Sequence, residues 1–560
     1  MNSDEIAQGE AEPVSCGGGG PAGAGSQETP GSRHPRASAA YRLCERLTEA
    51  TLYGMVFFSP WAFGTTQPWA VWVMNVAGCL LGGLLAAKGL VRWTTGYCPV
   101  LRHHSERQKR LSGSLWLGPA MAVLTVSFLL YVLAGALNAR AAFDAEHLDF
   151  EYFKCIPWLP HSYDRAATWF EFWEYLGLAC AFWAARDWLR GAPAAEPQVC
   201  RMRAGRSTAG TSHRGPRVEG QGTVAPPLDI RHSAPGRRIA DEPGSNVRLR
   251  RLLMVICITG MLTGLEGIVQ RLSGSDKLLF LVQPRYNMAA VNQFGPYANR
   301  NNAAEYFNLI WPVCAGFAWL EAQSAKRARK EGRRKPGTAH LWLAMAALIT
   351  GVCPLMSGSR GGTLVSLAMV VVVLVVMLVV PRRVPARNKI GLGLLFAAAL
   401  LGSVVLGWDN LQARLQTIFT DNLSGRLAVY KDAAAMARDY PVLGSGAGTY
   451  ASLYYLYRGD PNGEWSAYLH NDWLEYRITL GWLGFSLLLG LLTGALFNWF
   501  IGSGPPLPTL LAALIWIAMA GCLLHARFDL PFRVYSVAAL FLLYCSILSS
   551  AGRGWGKGEV

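Results

Sequence analysis

Apolar residues fall in long, nearly uncharged runs, and the spacing of these runs predicts about twelve helices. The runs lie near 43–62, 68–91, 114–137, 168–189, 251–272, 303–323, 339–357, 361–380, 390–407, 472–499, 508–525 and 532–550. Such runs are long enough to cross a hydrocarbon core of roughly 30 Å. In lipid each backbone group needs a partner within its own segment, so the runs become helices. The first and fourth carry charges at their ends. The expected fold is an all-α polytopic membrane protein with a large, partly helical outer loop.

The polar connections alternate in character. One set is basic: 92–110 with Arg102, Arg107, Lys109 and Arg110, the long segment 190–250, 326–335 with Lys326-Arg327-Ala328-Arg329-Lys330, and 382–389. The other set is mixed or acidic: 138–167, 273–302, 357–361, 408–471 and 525–531. The positive-inside rule places the basic set in the cytoplasm. The alternation stays in step along the chain and puts both termini on the cytoplasmic side.

Composition agrees with this reading, since 52% of residues are hydrophobic and 16% charged. The net charge of +16 does not imply nucleic-acid binding, because the basic residues cluster between apolar runs. The 12 cysteines form no CxxC pair and mostly sit in apolar runs, which argues against a disulfide or zinc framework. Residues 1–40 are rich in Gly, Ala, Ser and Pro and read as a disordered cytoplasmic tail rather than a signal peptide. The chain then divides into transmembrane helices over 41–190, a disordered Pro-, Gly- and Arg-rich cytoplasmic insertion over 191–250, and central transmembrane helices over 251–407. A periplasmic loop over 408–471 and C-terminal transmembrane helices over 472–560 complete it.

The chemistry gathers on the outer side. Ser357-Gly358-Ser359-Arg360-Gly361-Gly362 holds an arginine between two apolar runs. An arginine costs several kcal/mol in lipid, so Arg360 belongs at a membrane face. Its guanidinium can meet a flat anion such as a phosphate, or it can snorkel to anchor a helix end; the glycine and serine setting favours the first. Asn299-Arg300-Asn301-Asn302 either binds an anion or caps the next span. In the outer loop, Asp421-Asn422-Leu423-Ser424-Gly425 starts a helix, capped by Ser424 or Asp421, with an apolar stripe at Leu427, Tyr430, Ala434 and Met436 to Ala437, ended by Pro441. Gly444 to Gly448 reads as a plain turn more readily than as a phosphate cradle. Tyr450, Tyr454, Tyr455 and Tyr457 suit either sugar faces or a membrane interface. Tyr468-Leu469-His470-Asn471-Asp472 closes the loop, and Arg527 and Asp529 in the 525–531 turn are placed to pair with each other. An outer face lacks nucleotides, so a reaction there needs a donor already activated on a lipid.

These motifs together resemble the O-antigen ligase and polymerase superfamily. The resemblance rests on 357–362, Asn299 to Asn302, Ser424-Gly425-Arg426, Tyr440-Pro441-Val442-Leu443-Gly444-Ser445-Gly446 and His470-Asn471-Asp472-Trp473-Leu474-Glu475. It spans roughly residues 290–490 as motifs. It implies a membrane C-type glycosyltransferase of the bacterial inner membrane that uses an undecaprenyl-pyrophosphate-linked glycan and neither metal nor other cofactor. The acceptor hydroxyl would lie on lipid A core, another glycan or a protein. Carried over residue by residue, pyrophosphate binding falls to Arg360, Arg300 and Arg426, and acceptor activation to His470. A histidine side chain exchanges protons near neutral pH, as a general base requires; capping or packing at a helix start is the competing role. Asp472 and Glu475 would support His470, or favour the helix N-terminus by charge alone.

Two other classes remain open at this point. A glycolipid or polysaccharide transporter would place ionisable residues within spans, and Glu266, Glu171 and Glu174 are candidates. A scaffold for an envelope assembly complex would use 191–250 as a docking segment. The concentration of polar motifs at one face favours the enzyme.

Overall fold

The computed structural model describes residues 35–95, 116–191, 247–332, 337–379, 424–459, 468–501 and 507–552. The run expected at 390–407, most of the tail, and nearly all of the insertion lie outside the described residues. Each of the other eleven expected runs is a helix. They are α1 (Pro35–Trp61), α2 (Pro68–Thr95), α3 (Leu117–Leu137), α4 (Arg165–Arg190), α5 (Val247–Ser273) and α6 (Arg300–Lys330). Then follow α7 (Ala339–Met356), α8 (Arg360–Val379), two helices between the apolar runs, α9 (Ser424–Asp439) and α10 (Tyr450–Tyr457), and finally α11 (Asp472–Ile501), α12 (Thr509–His525) and α13 (Tyr535–Ser550).

Five of these, α2, α3, α5, α7 and α11, are long and apolar enough to cross a membrane. At about 1.5 Å per residue, the 28 residues of α2 exceed a hydrocarbon core of roughly 30 Å. Shorter apolar helices lie in α8, α12 and α13. Helix α4 carries Glu171, Glu174, Arg186 and Asp187, all inside the protein or its ion pairs. Its charges therefore face the bundle. Helix α6 is the centre of the bundle, with Asn302 to Ala318 buried throughout, and it packs against α5, α7, α8, α12 and α13.

The two sets of connections separate in space. Near the starts of α1 and α5 and the ends of α2 and α4, Lys88 sits 2.9 Å from both Glu45 and Asp187. Arg92 pairs with Asp187 at 2.8 Å, and Arg248 with Glu45. The opposite ends carry the mixed connections, and these touch one another. Tyr163 N–H donates to the Ser445 carbonyl at 3.0 Å, Thr168 Oγ1 to the Ala447 carbonyl at 2.7 Å, and Asp472 N–H to the Ala526 carbonyl at 3.0 Å. The alternation read from charge thus recurs as two ends of one bundle.

The all-α expectation needs one correction. The connection after α3 folds back as a hairpin of β1 (Ala141–Asp144) and β2 (Asp149–Tyr152), antiparallel with Ala141 opposite Tyr152. Phe150 and Ala141 pack with Ala433, Met436, Tyr450, Leu453, Tyr454 and Leu469. The hairpin and the segment before α11 therefore share one small core, a cap over this end of the bundle.

The cap is locked into α11. Residues 441–446 lie along 478–483: Ser445 and Gly446 N–H groups donate to the Ile478 and Thr479 carbonyls at 3.1 and 2.9 Å. Trp482 and Leu483 N–H groups donate to Pro441 and Val442. The insertion breaks α11 at Gly481, where φ is 61° and ψ is −176°. Tyr131 Oη lies 2.6 and 2.7 Å from the Leu443 and Leu480 carbonyls and places its single O–H between the inserted segment and the broken helix. Gly444 and Gly446 have φ of +69° and +107°, and a Cβ on Gly446 would lie 2.6 Å from Ser162 Oγ. Only glycine fits both that backbone and that approach.

Candidate active site

Three motifs that lie far apart in the sequence converge on the short turn 525–529 between α12 and α13. The first is the start of α6. Asn299 caps this helix by accepting from Asn301 N–H at 2.9 Å, and Asn301 Nδ2 then reaches Asp529 Oδ2 at 2.8 Å.

The second is the turn between α7 and α8. Gly358 ends α7 with φ +72°, its N–H donating to the Leu355 carbonyl at 3.0 Å. Ser359 begins α8 and accepts from Gly362 N–H at 3.1 Å. Gly361 packs against the other side of the turn, and a Cβ there would lie 2.8 Å from Phe528 Cε2 and 3.2 Å from His525 Nε2. Gly362 meets α6 equally closely, at Ala304, and its carbonyl accepts from Asn308 Nδ2 at 3.0 Å. The two glycines thus draw the start of α8 into the site, with Arg360 beside them at its exposed edge.

The third is the segment 469–475. His470 takes the left-handed conformation, φ +53°, an uncommon position for a side-chain-bearing residue. Its Nδ1 lies 3.0 Å from Asp529 Oδ1, and the ring is 33% exposed while Asp529 is 3% exposed. The carboxylate selects the tautomer with a proton on Nδ1 and leaves Nε2 as the proton acceptor. Tyr430 Oη of α9 donates to the His470 carbonyl at 2.9 Å. Capping of α11 falls instead to Asn471, whose Oδ1 accepts from Leu474 N–H at 3.2 Å. The ring of His470 is thus spared the capping role.

The pairing expected between Arg527 and Asp529 is corrected: both Asp529 oxygens are committed to His470, Asn301 and the Leu530 N–H at 3.2 Å. Asp472 and Glu475 do not meet the His470 ring; they bond to the backbone of neighbouring segments. Asp472 Oδ2 accepts from Phe532 N–H at 2.9 Å, and Glu475 Oε2 accepts from Leu469 N–H at 3.1 Å. Glu475 Oε1 also receives Arg533 Nε and Nη2 at 3.0 and 2.7 Å, while Arg533 Nη1 pairs with Glu171. Arg533 and Glu171, absent from the sequence-based site, therefore fasten α4, α11 and the 531–534 turn together.

Arg300 donates from Nη1 to the Val291 carbonyl at 3.2 Å and to Asn292 Oδ1 at 2.7 Å, bracing its own preceding loop. Arg426 lies in the first turn of α9, one turn before Tyr430, and its side chain is outside the described residues. Tyr450 and Tyr454 stack on each other, with centroids 5.4 Å apart inside the cap core, so they offer no face to a sugar. Burial pushes the Tyr440 phenol up to about 12 and raises Tyr454 and Tyr468, keeping these groups neutral donors. In the Gly444–Gly448 turn the N–H groups of 445 and 446 are bonded to α11 carbonyls, which takes these two donors out of any phosphate cradle.

Beneath the site, Glu305 of α6 and His525 are buried, with His525 Nε2 3.7 Å from Glu305 Oε1. Among the described residues, Glu305, His525 and Asp529 are the group whose ligand atoms lie close enough to hold a metal ion, within 4.8 Å of one another. Asp529 already accepts three hydrogen bonds, which a metal would have to displace.

A family model described as O-Antigen ligase matches residues 345–489, from the middle of α7 through α8 and the cap into α11. The resemblance read from the motifs is borne out over that segment, which includes Arg360, Arg426 and His470. With the apolar helices, it makes the chain similar to membrane glycosyltransferases of O-antigen and polysaccharide biosynthesis. Among curated proteins, none matches the chain.

Proposed function

We propose that this protein transfers a glycan from undecaprenyl pyrophosphate to a hydroxyl acceptor at the periplasmic face of the inner membrane. The observation that carries the reading is the oriented dyad, His470 Nδ1 on Asp529 Oδ1 at 3.0 Å. It adjoins the turn on which the Arg360 segment also packs. In this mechanism His470 Nε2 takes the proton from the acceptor hydroxyl as its oxygen attacks the sugar C1. The C1–O bond to pyrophosphate breaks, and the electron pair leaves with undecaprenyl pyrophosphate. Arg360 meets the charge that grows on that leaving group, with Arg426 or Arg300 aiding. Direct displacement inverts the anomeric centre. Asp529 steadies the imidazolium that forms, much as the buried carboxylate does in hydrolase triads. Asp472, Glu475 and Arg533 hold the 469–475 segment so that the ring keeps its place. No metal and no other cofactor enters the proposed route. The acceptor is a hydroxyl on lipid A core, a glycan or a protein.

Sidedness follows from charge. The ends bearing Arg92, Arg248 and Arg250 are cytoplasmic by the positive-inside rule, so the cap and the dyad face the periplasm. The test uses purified full-length protein in nanodiscs, undecaprenyl-pyrophosphate glycan, candidate acceptors, and no nucleotide or metal. Acceptor-dependent release of undecaprenyl pyrophosphate, lost in Arg360→Ala and His470→Ala, supports the proposal. Full activity in both variants overturns the assigned roles.

A further inference from the structure

Arg186 lies near the end of α4, at the pole opposite the dyad. It is 7% exposed, its Nε has no hydrogen-bond partner, and no ion pair or hydrogen bond reaches its guanidinium among the described residues. Its neighbour Asp187 is turned away and committed to Lys88 and Arg92. The guanidinium rests over the Trp183 ring at 4.9 Å. That contact orients it without neutralising it. A cation buried this deeply without an anion is costly in isolation.

The side chain points at a helix start. A Cβ on Gly118 would lie 3.7 Å from Arg186 Nη2, which places the guanidinium against the first turn of α3. Among the described residues no side chain caps that turn, and it contains no acidic residue. Pro119 carries no N–H and the Ala120 N–H donates to the Trp116 carbonyl at 2.9 Å, so this turn offers the Leu117 and Gly118 N–H groups and the positive end of the helix dipole beside the arginine. Arg190, one turn further along α4, adds positive charge nearby; its Nη2 donates to the Ser549 carbonyl at 2.7 Å. All of these favour an anion and disfavour a cation.

We propose that Arg186 and the start of α3 form a binding site for a phosphate group, carried by the headgroup of a membrane phospholipid. A planar guanidinium offers paired donors to phosphate oxygens, and a helix N-terminus offers backbone N–H groups to the same anion. The surroundings indicate a lipid as the carrier. Trp116 and Trp93 at this end are more than four-fifths exposed, as tryptophans at a membrane interface are. Val123, Val126 and Leu130 continue along α3 as an exposed apolar face beside which acyl chains can lie. This site is separate from the dyad and does not depend on the glycosyl-transfer reading.

The test uses the full chain, delipidated in a neutral detergent, and follows thermal unfolding and retained lipid by native mass spectrometry. Phosphatidylglycerol is expected to bind and raise the midpoint, whereas diacylglycerol with the same chains is not. Arg186→Gln should weaken phosphatidylglycerol binding by about tenfold or more, the loss of one charge-assisted contact. An equal, Arg186-dependent response to inorganic phosphate alone keeps the site and assigns it to free phosphate. Equal responses of wild type and Arg186→Gln to both probes overturn the proposal. Should Arg186→Gln fail to fold, Arg186→Lys is used, with weaker binding expected because the fork is lost. Wild type that does not distinguish phosphatidylglycerol from diacylglycerol, and does not respond to inorganic phosphate, sinks the idea without any variant.

Discussion

Asp529→Asn removes one charge and preserves the shape of a residue that is 3% exposed. The carboxylate accepts from His470 Nδ1 at 3.0 Å, Leu530 N–H at 3.2 Å and Asn301 Nδ2 at 2.8 Å. An asparagine has one oxygen and one NH2, so it has two ways to sit. With its oxygen toward His470, the neighbouring Asn301 amide turns over and these three bonds survive without the charge. The loss is then that of a charge-assisted bond, about 1.5–3 kcal/mol, or about 10- to 150-fold in rate. With its NH2 toward His470, Nδ1 must accept, the proton moves to Nε2, and the base is lost. That outcome approaches the 10⁴-fold or so seen when a triad aspartate is made asparagine. The expected fall in kcat therefore lies between about 10-fold and about 10⁴-fold, with the donor KM changed little. Release of undecaprenyl pyrophosphate in nanodiscs measures it. The double variant with His470→Ala should be no slower than His470→Ala alone, because the two residues act as a unit. Activity of Asp529→Asn within threefold of wild type, or a double variant much slower than His470→Ala, would refute the dyad.

Arg300→Lys should reduce transfer less than Arg360→Lys, since Arg300 spends donors on the Val291 carbonyl and Asn292; parallel turnover assays rank the two, and the reverse order counts against Arg360 as the main clamp. Gly446→Ala should destabilise the cap by about 2–3 kcal/mol, from a φ of +107° and a Cβ 2.6 Å from Ser162 Oγ. Faster proteolysis within 424–459 would report it, and an unchanged digestion rate would contradict the close approach. Arg533→Met should cost about 3–5 kcal/mol by leaving the Glu171 and Glu475 carboxylates buried without their cation. Thermal unfolding checks this, and a midpoint equal to wild type would show that the triad contributes nothing.

Helices were legible in the sequence because apolar run length is a strong signal, and lipid leaves the backbone few alternatives. Even α4, with Glu171, Glu174 and Asp187, follows the rule once its charges are seen to face inward. The hairpin was not legible. Its strands are four residues each, too short to show a period. They persist because Ala141 and Phe150 bury against Met436 and Tyr454 of a segment almost three hundred residues away. The break at Gly481 was hidden for a similar reason. A lone glycine in an apolar run reads as a tolerated helix residue, and only the arrival of 441–446 makes it a break.

The site divides along the same line. Arg360 among its glycines and serines, and His470 at the head of α11, are proposed from local setting alone. Partners were not legible there, because partner choice is decided by which connections share an end of the bundle. Asp472 lies two residues from His470, yet its carboxylate turns to Phe532 N–H, while Asp529, fifty-nine positions on, takes the ring. The backbone explains the exchange. Asp472 N–H donates to the carbonyls of Ala526 and Asp529, at 3.0 and 3.3 Å. The start of α11 is thereby seated on the 526–529 turn, and the Asp529 side chain comes level with a histidine held at φ +53°. An extended His470 would send its ring elsewhere. His470 at positive φ and the distant carboxylate are consequently one device: the backbone conformation and the bond to Asp529 together fix the ring that the proposed base needs held in place.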